Sequence, residues 1–174
     1  LLKTNESIHK CLFVVDRSDR LLGTLPLIGA QRGIPAWVAL ARPLAAGQFL
    51  FIAFAFGCLG YSFIANDFSV VNVATNSNSQ LPLEYRIAAT WGSHEGSMLL
   101  WVLILSCWTG AVAVFSNSLP KLLRARILAT MGLVGVGFLL FLLFTSNPFG
   151  RLVPPPADGR DLNPLLQDPG MVFH

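Results

Sequence analysis

MLLWVLILSCWTGAVAVF, residues Met98 to Phe115, holds no charged side chain, and only Ser106 and Thr109 carry hydroxyls. A helix needs roughly 17–25 apolar residues to cross the hydrocarbon core of a bilayer, and this run suffices. Two further runs match it: Leu44 to Ala65 (LAAGQFLFIAFAFGCLGYSFIA), with Gln48 as its one strongly polar residue, and Ile127 to Thr145 (ILATMGLVGVGFLLFLLFT). Inside lipid a backbone must satisfy its own hydrogen bonds, so these runs are predicted to be helices. The alternation of a membrane barrel is missing. The expected fold is all-α, a polytopic membrane helix bundle with about three transmembrane helices.

Composition agrees. Charged residues make up 12% of the chain and hydrophobic ones 53%, whereas soluble domains carry roughly 25% charged residues. Mean hydropathy is +0.60. No basic block interleaved with exposed aromatics points to nucleic acid. Cys11, Cys58 and Cys107 are far apart and form no CxxC, which argues against a zinc site or a disulfide framework.

Lys and Arg placement predicts orientation. The segment before the first run holds six, the 116–126 loop three, the 66–97 loop one and the tail two. The expected layout is a cytoplasmic segment 1–43, a span 44–65, an outer loop 66–97, a span 98–115, a cytoplasmic loop 116–126, a span 127–145 and an outer tail 146–174. Leu1 to Arg20 is mixed polar and charged, and Leu21 to Ala30 is too short to span and is interrupted by Pro26. The small-xxx-small pairs Ala53/Gly57 and Ser106/Gly110 suit close helix packing or chance equally well. The chain reads as a piece of a longer one.

The expected outer face carries the residues with chemistry. Pro82 to Trp91 is predicted as a short helix, with Pro82 at its start and Glu84 in its first turn. Trp91-Gly92-Ser93-His94-Glu95-Gly96-Ser97 then leads into the second span. Ionisable groups at a membrane boundary are costly to dehydrate and often functional. His94 suits a metal or haem ligand, a proton relay or a clamp between loop and helix; it lacks a second His at i+3 or i+4 for a self-contained metal site. Trp101 and Trp108 share one helix stripe, of the kind that packs against neighbouring helices. The tail ends in His174 after the Asp168-Pro169-Gly170 turn.

Several stretches in this order are together distinctive: Asn66-Asp67-Phe68, Asn76-Ser77-Asn78, Leu81-Pro82, the segment from Trp91 to Ser97, Thr145-Ser146-Asn147-Pro148-Phe149, and the segment from Gly159 to Gly170 (GRDLNPLLQDPG). From about Leu21 to His174 the chain resembles the amino-terminal third of the CcmF-type haem lyase component of cytochrome c maturation. The resemblance implies a multi-pass protein of the bacterial inner membrane with its haem site on the periplasmic side. It implies haem b as cofactor, and as partners apocytochrome c, whose CxxCH thiols receive the haem, together with haem-carrier and thiol-reducing maturation proteins. It implies that His174 is an axial ligand to haem iron, and Trp91 and His94 stand as further cofactor-contact candidates. Arg151 or Arg160 is a candidate partner for a haem propionate, or equally for nearby carboxylates. The family has an apolar first helix where this chain has Leu1 to Arg20, so that helix is expected to be missing or replaced, and the fragment is expected to be inactive alone within a lyase system. The competing expectation is a structural or transport subunit without a haem role.

Overall fold

The computed structural model describes residues 2–167 and Gly170. Among the described residues, seven α-helices and a short 3-10 turn follow one another: α1 Leu2–Arg32, α2 Pro35–Ala39, α3 Ala41–Ile64, α4 Val71–Asn76, α5 Leu83–Gly92, α6 His94–Phe115, α7 Lys121–Phe144 and the turn Pro164–Gln167. Three helical stretches among these residues are long and apolar enough to cross a membrane: Pro35–Ile64, His94–Phe115 and Lys121–Phe144. The all-α expectation and the three spans hold.

The spans are longer than the apolar runs alone suggest. α6 begins at His94, so His94 and Glu95 belong to its first turn rather than to a loop. α7 begins at Lys121 and takes Lys121, Arg124 and Arg126 into its first two turns. The charge of these residues hid the helix, yet at a membrane boundary long basic side chains reach water while their backbone continues the spiral.

The largest difference lies in α1. No helix was expected across Leu1 to Arg20, and residues 2–32 form one. Asp16 pairs with Arg20 one turn on, at a spacing that supports a helix. α1 packs antiparallel to α7: a Cβ on Gly23 would fall 2.7 Å from Leu133 Cδ2, and one on Gly132 3.0 Å from Leu22 Cγ. Further along, a Cβ on Gly135 would lie 2.6 Å from Asp19 Oδ2. Gln48 of α3 donates from Nε2 to that same oxygen at 3.1 Å, and both side chains are buried. The segment before α3 is therefore not a one-sided arm, because α1 runs along the bundle toward the start of α7. Gly33, at φ 68, ends it in a left-handed turn, and Ile34 N donates to Gly29 O at 2.9 Å. This is the hydrogen bond that closes a helix on a glycine.

Small residues do bring helices together, at positions other than Gly57 and Gly110, whose spacing suited chance at least as well. A Cβ on Gly57 or Gly110 would meet nothing within 4 Å. The close approaches belong to Gly23, Gly132 and Gly135 between α1 and α7. Lipid tails are as apolar as Leu, so helix association in a membrane depends on such close packing. The core of α3, α6 and α7 is filled by Ile52, Leu59, Phe63, Leu99, Val102, Leu139 and Leu142. Trp101 and Trp108, expected to pack against neighbouring helices, face outward at 62% and 65% exposure.

Candidate functional site

One end of the bundle is closed by a polar cap. α3 finishes at Ile64, and Asn66 turns the chain through φ 51, a conformation that Asn tolerates better than most residues. The outer loop then meets the tail along its length. Val71 N donates to Gly150 O at 2.8 Å, Leu152 N to Ser69 O at 2.9 Å and Arg160 N to Ala74 O at 2.8 Å. Arg151 Nη1 donates to Ser69 Oγ at 2.7 Å, and its Nη2 stands 3.9 Å from Asp67.

The Asn/Ser tract makes the second half of the seam. Ser79 donates to Asp158 twice, from its backbone N at 2.9 Å and from Oγ at 2.7 Å. Asn78 Nδ2 donates to Asp161. The hydroxyl and backbone N–H of Ser79, with the N–H of Gly159, hold the Asp158 carboxyl below its ordinary value, because each donor favours the charged form. Gly159 passes so close that a Cβ there would lie 2.0 Å from Ser77 O. Arg86 anchors the start of α5 by donating to Leu81 O at 2.7 Å and Ser79 O at 2.8 Å.

The Trp91 to Ser97 segment is a rigid joint between α5 and α6. Ser93 caps α6, its Oγ accepting from Gly96 N at 3.0 Å, as side-chain oxygens do at helix starts. Ser97 Oγ donates back to Trp91 O. Gly96 has no alternative: a Cβ would fall 1.8 Å from Thr90 O. The clamp between loop and helix considered for His94 is made instead by Ser93, Gly96 and Ser97. His94 is left free of that task. Its ring is exposed and stands edge-on to Phe141 of α7, with centroids 6.2 Å apart and planes at 83°. Phe141 also lines a shallow groove of about 360 Å3 with Met98, Val134, Gly137 and Phe138. Trp91 is half-buried at the same joint.

The structure thus brings Trp91 and His94 together at the capped end. His174 lies outside the described residues. Of the two arginines considered for a propionate, Arg151 is engaged by Ser69 and Asp67, and Arg160 is exposed. No group of three or more His, Cys, Asp or Glu side chains that could hold a metal ion occurs among the described residues. Sequence reading missed the seam between Ser77-Asn78-Ser79 and Asp158-Gly159; its only signal was that both segments are turn-forming and polar.

Three membrane-length helices closed at one end by a polar cap define a multi-pass helical membrane protein. The sequence profile of the family described as "Cytochrome C assembly protein" matches residues 91–174. The chain belongs to the CcmF family of cytochrome c-type biogenesis proteins. It is 58% identical over 94% of its length to the cytochrome c-type biogenesis protein CcmF of Pseudomonas aeruginosa, of which it covers 24%. It is 58% identical over 88% of its length to the CcmF of Escherichia coli K12, again covering 24%. A solved structure titled "Cytochrome c Heme Lyase CcmF" superposes on 80% of the chain with a TM-score of 0.75 and 26% identity, the match covering 23% of that protein. The chain therefore spans about a quarter of the length of the relatives it matches.

Proposed function

We propose that this chain contributes to a cytochrome c haem lyase of the bacterial inner membrane, presenting haem b at the periplasmic face for covalent attachment to the CxxCH thiols of apocytochrome c. The haem-carrier and thiol-reducing maturation proteins implied by the family resemblance are its partners in this reading. The observation that carries it is the joint at Trp91 to Ser97. That joint ties α5 to α6 through Ser93, Gly96 and Ser97, yet leaves the His94 imidazole exposed beside an apolar groove on α6 and α7.

The residues fit part of a haem site. A neutral imidazole is a suitable axial donor, and Met98, Phe138 and Phe141 offer an apolar wall for one porphyrin edge. His174 would hold the iron, as the family resemblance implies, and His94 and Trp91 would line the group. When bound, haem supplies the vinyl groups across which cysteine S–H bonds add to form thioethers. The residues of this chain orient the group and exclude water from its edge. Orientation supports the periplasmic assignment: the opposite end carries Arg32, Arg42, Lys121, Arg124 and Arg126, and basic residues stay cytoplasmic.

The test is made in the full-length protein, expressed in cells that lack their own copy. His174→Ala is expected to abolish co-purifying haem absorption and holocytochrome c, and His94→Ala to lower both, with membrane levels unchanged. Wild-type haem content and wild-type cytochrome yield in both variants would reject the haem assignment and favour a structural or transport subunit.

A further inference from the structure

The end of the bundle away from the cap gathers charge of one sign. Arg32 closes α1, Arg42 lies in the first turn of α3, and Lys121, Arg124 and Arg126 occupy the first turns of α7. No Asp or Glu occurs between residues 20 and 66 or between 96 and 157, so no acid on these helices is near enough in sequence to neutralise them.

Two spaces meet at this end. A cavity of about 590 Å3 opens between Gly29, Ile34, Val38, Arg42, Lys121 and Arg124. Arg42 also borders an apolar groove of about 800 Å3 that runs between α3 and α6 past Phe49, Leu50, Cys107, Gly110 and Val114. Arg42 donates to Asn117 Oδ1, and Arg124 Nη1 donates to Ser116 O at 3.3 Å. The turn after α6 thus fixes both guanidinium groups while most of their five N–H donors stay available. The Lys121 side chain has no hydrogen bond or ion pair among the described residues. No side chain caps α7 and no acid stands in its first turn, so the positive end of the helix dipole adds to the same potential.

We infer that the two spaces form one binding site for an anionic diacyl phospholipid, with the phosphate in the cationic cavity and an acyl chain in the α3–α6 groove. A soluble anion would use the cavity alone. The groove continues from Arg42 along helices of membrane length, where hydrocarbon is the solvent, and its lining is almost wholly apolar. The cations sit at the ends of those helices, at the depth of lipid headgroups. Basic pockets between membrane helices recognise anionic headgroups by this combination of charge and depth. The site lies at the opposite end of the bundle from the haem reading and does not depend on it.

Native mass spectrometry of the 174-residue chain released from detergent micelles tests the inference. The probes are dioleoyl phosphatidylglycerol, dioleoyl phosphatidylcholine and inorganic phosphate. Phosphatidylglycerol is expected to remain bound at collision energies that strip phosphatidylcholine, with occupancy at least about fivefold higher, and phosphate is expected not to displace it. The double variant Lys121→Gln, Arg124→Gln should reduce phosphatidylglycerol to the phosphatidylcholine level. Gly110→Leu, which fills the groove and leaves every charge in place, should reduce it as well, with helicity by circular dichroism unchanged in both. Equal retention of the two lipids, displacement by phosphate alone, or wild-type retention in the folded variants would each overturn the site. The wild-type lipid comparison and Gly110→Leu keep the test decisive should the charge variant lose its helices.

Discussion

At the capped end Asp67, Asp158 and Asp161 each meet a donor from the facing segment, while at the other end Arg42, Lys121 and Arg124 border a cavity that has no acidic residue in its lining. Both ends are polar and both stand at a membrane boundary, yet one is closed by its own hydrogen bonds and the other is left charged and open. That contrast decides where a ligand is held. A joint closed by its own hydrogen bonds, like that of Ser93, Gly96 and Ser97, positions a side chain such as His94 without being altered by it. A row of unneutralised cations carries electrostatic free energy that a ligand of opposite charge releases.

Substitutions should separate the two ends sharply. Gly96→Ala places a methyl carbon 1.8 Å from Thr90 O, and overpacking of this kind costs about 1–3 kcal/mol. Thermal unfolding in detergent is expected to show a loss of that size, against a change within about 0.5 kcal/mol for Gly110→Ala, whose added methyl meets nothing. Gly159→Ala should act locally instead. With a contact of 2.0 Å to Ser77 O, it should lift the tail from the 77–79 loop, and hydrogen exchange at the Ser79 and Arg160 amides should rise while the exchange of α6 stays as in the wild type.

The seam also predicts a pH dependence. The Asp158 carboxyl is held below its ordinary value by Ser79 and Gly159. A depressed carboxyl contributes stability that is fully present above its unfolded value of about 3.9 and is lost as pH falls through the lower folded value. Ser79 amide protection, corrected for intrinsic exchange, should therefore stay level from neutral pH down to about 5 and decline only in stronger acid. Asp158→Ala should show low protection throughout and no such decline. The smallest effect is expected at the open end. Lys121→Gln with Arg124→Gln should change unfolding stability by less than about 0.5 kcal/mol, because those charges stabilise a ligand rather than the fold.

How far these features could be read without coordinates follows from the distance over which each is determined. The three spans were legible because a bilayer imposes its requirement residue by residue. The α6 start was legible in principle: Ser93 is a good helix cap, and its bond to Gly96 uses a spacing of three. The α1–α2 corner carried a similar signal in Gly33 followed by Pro35. The body of α1 did not, since Asp16, Arg17, Asp19 and Arg20 obscure the apolar stripe, and what orders it is contact with Gly132 and Gly135 more than a hundred positions away. The seam was hidden for the same reason, because Ser79 and Asp158 are 79 residues apart and no periodicity links them. Of the candidate site, residue type and position single out Trp91 and His94, whereas the role of Gly96 depends on a carbonyl that only the folded chain brings near.

In the proposed orientation the capped end and the cationic end face opposite compartments. Gln80→Cys in the cap and Ser118→Cys beside the cationic cavity, each introduced after Cys11, Cys58 and Cys107 are replaced by Ser, can be labelled in intact bacterial spheroplasts with a membrane-impermeant maleimide. Labelling is expected at position 80 in intact spheroplasts and at position 118 only after lysis; equal labelling of both before lysis would overturn this orientation.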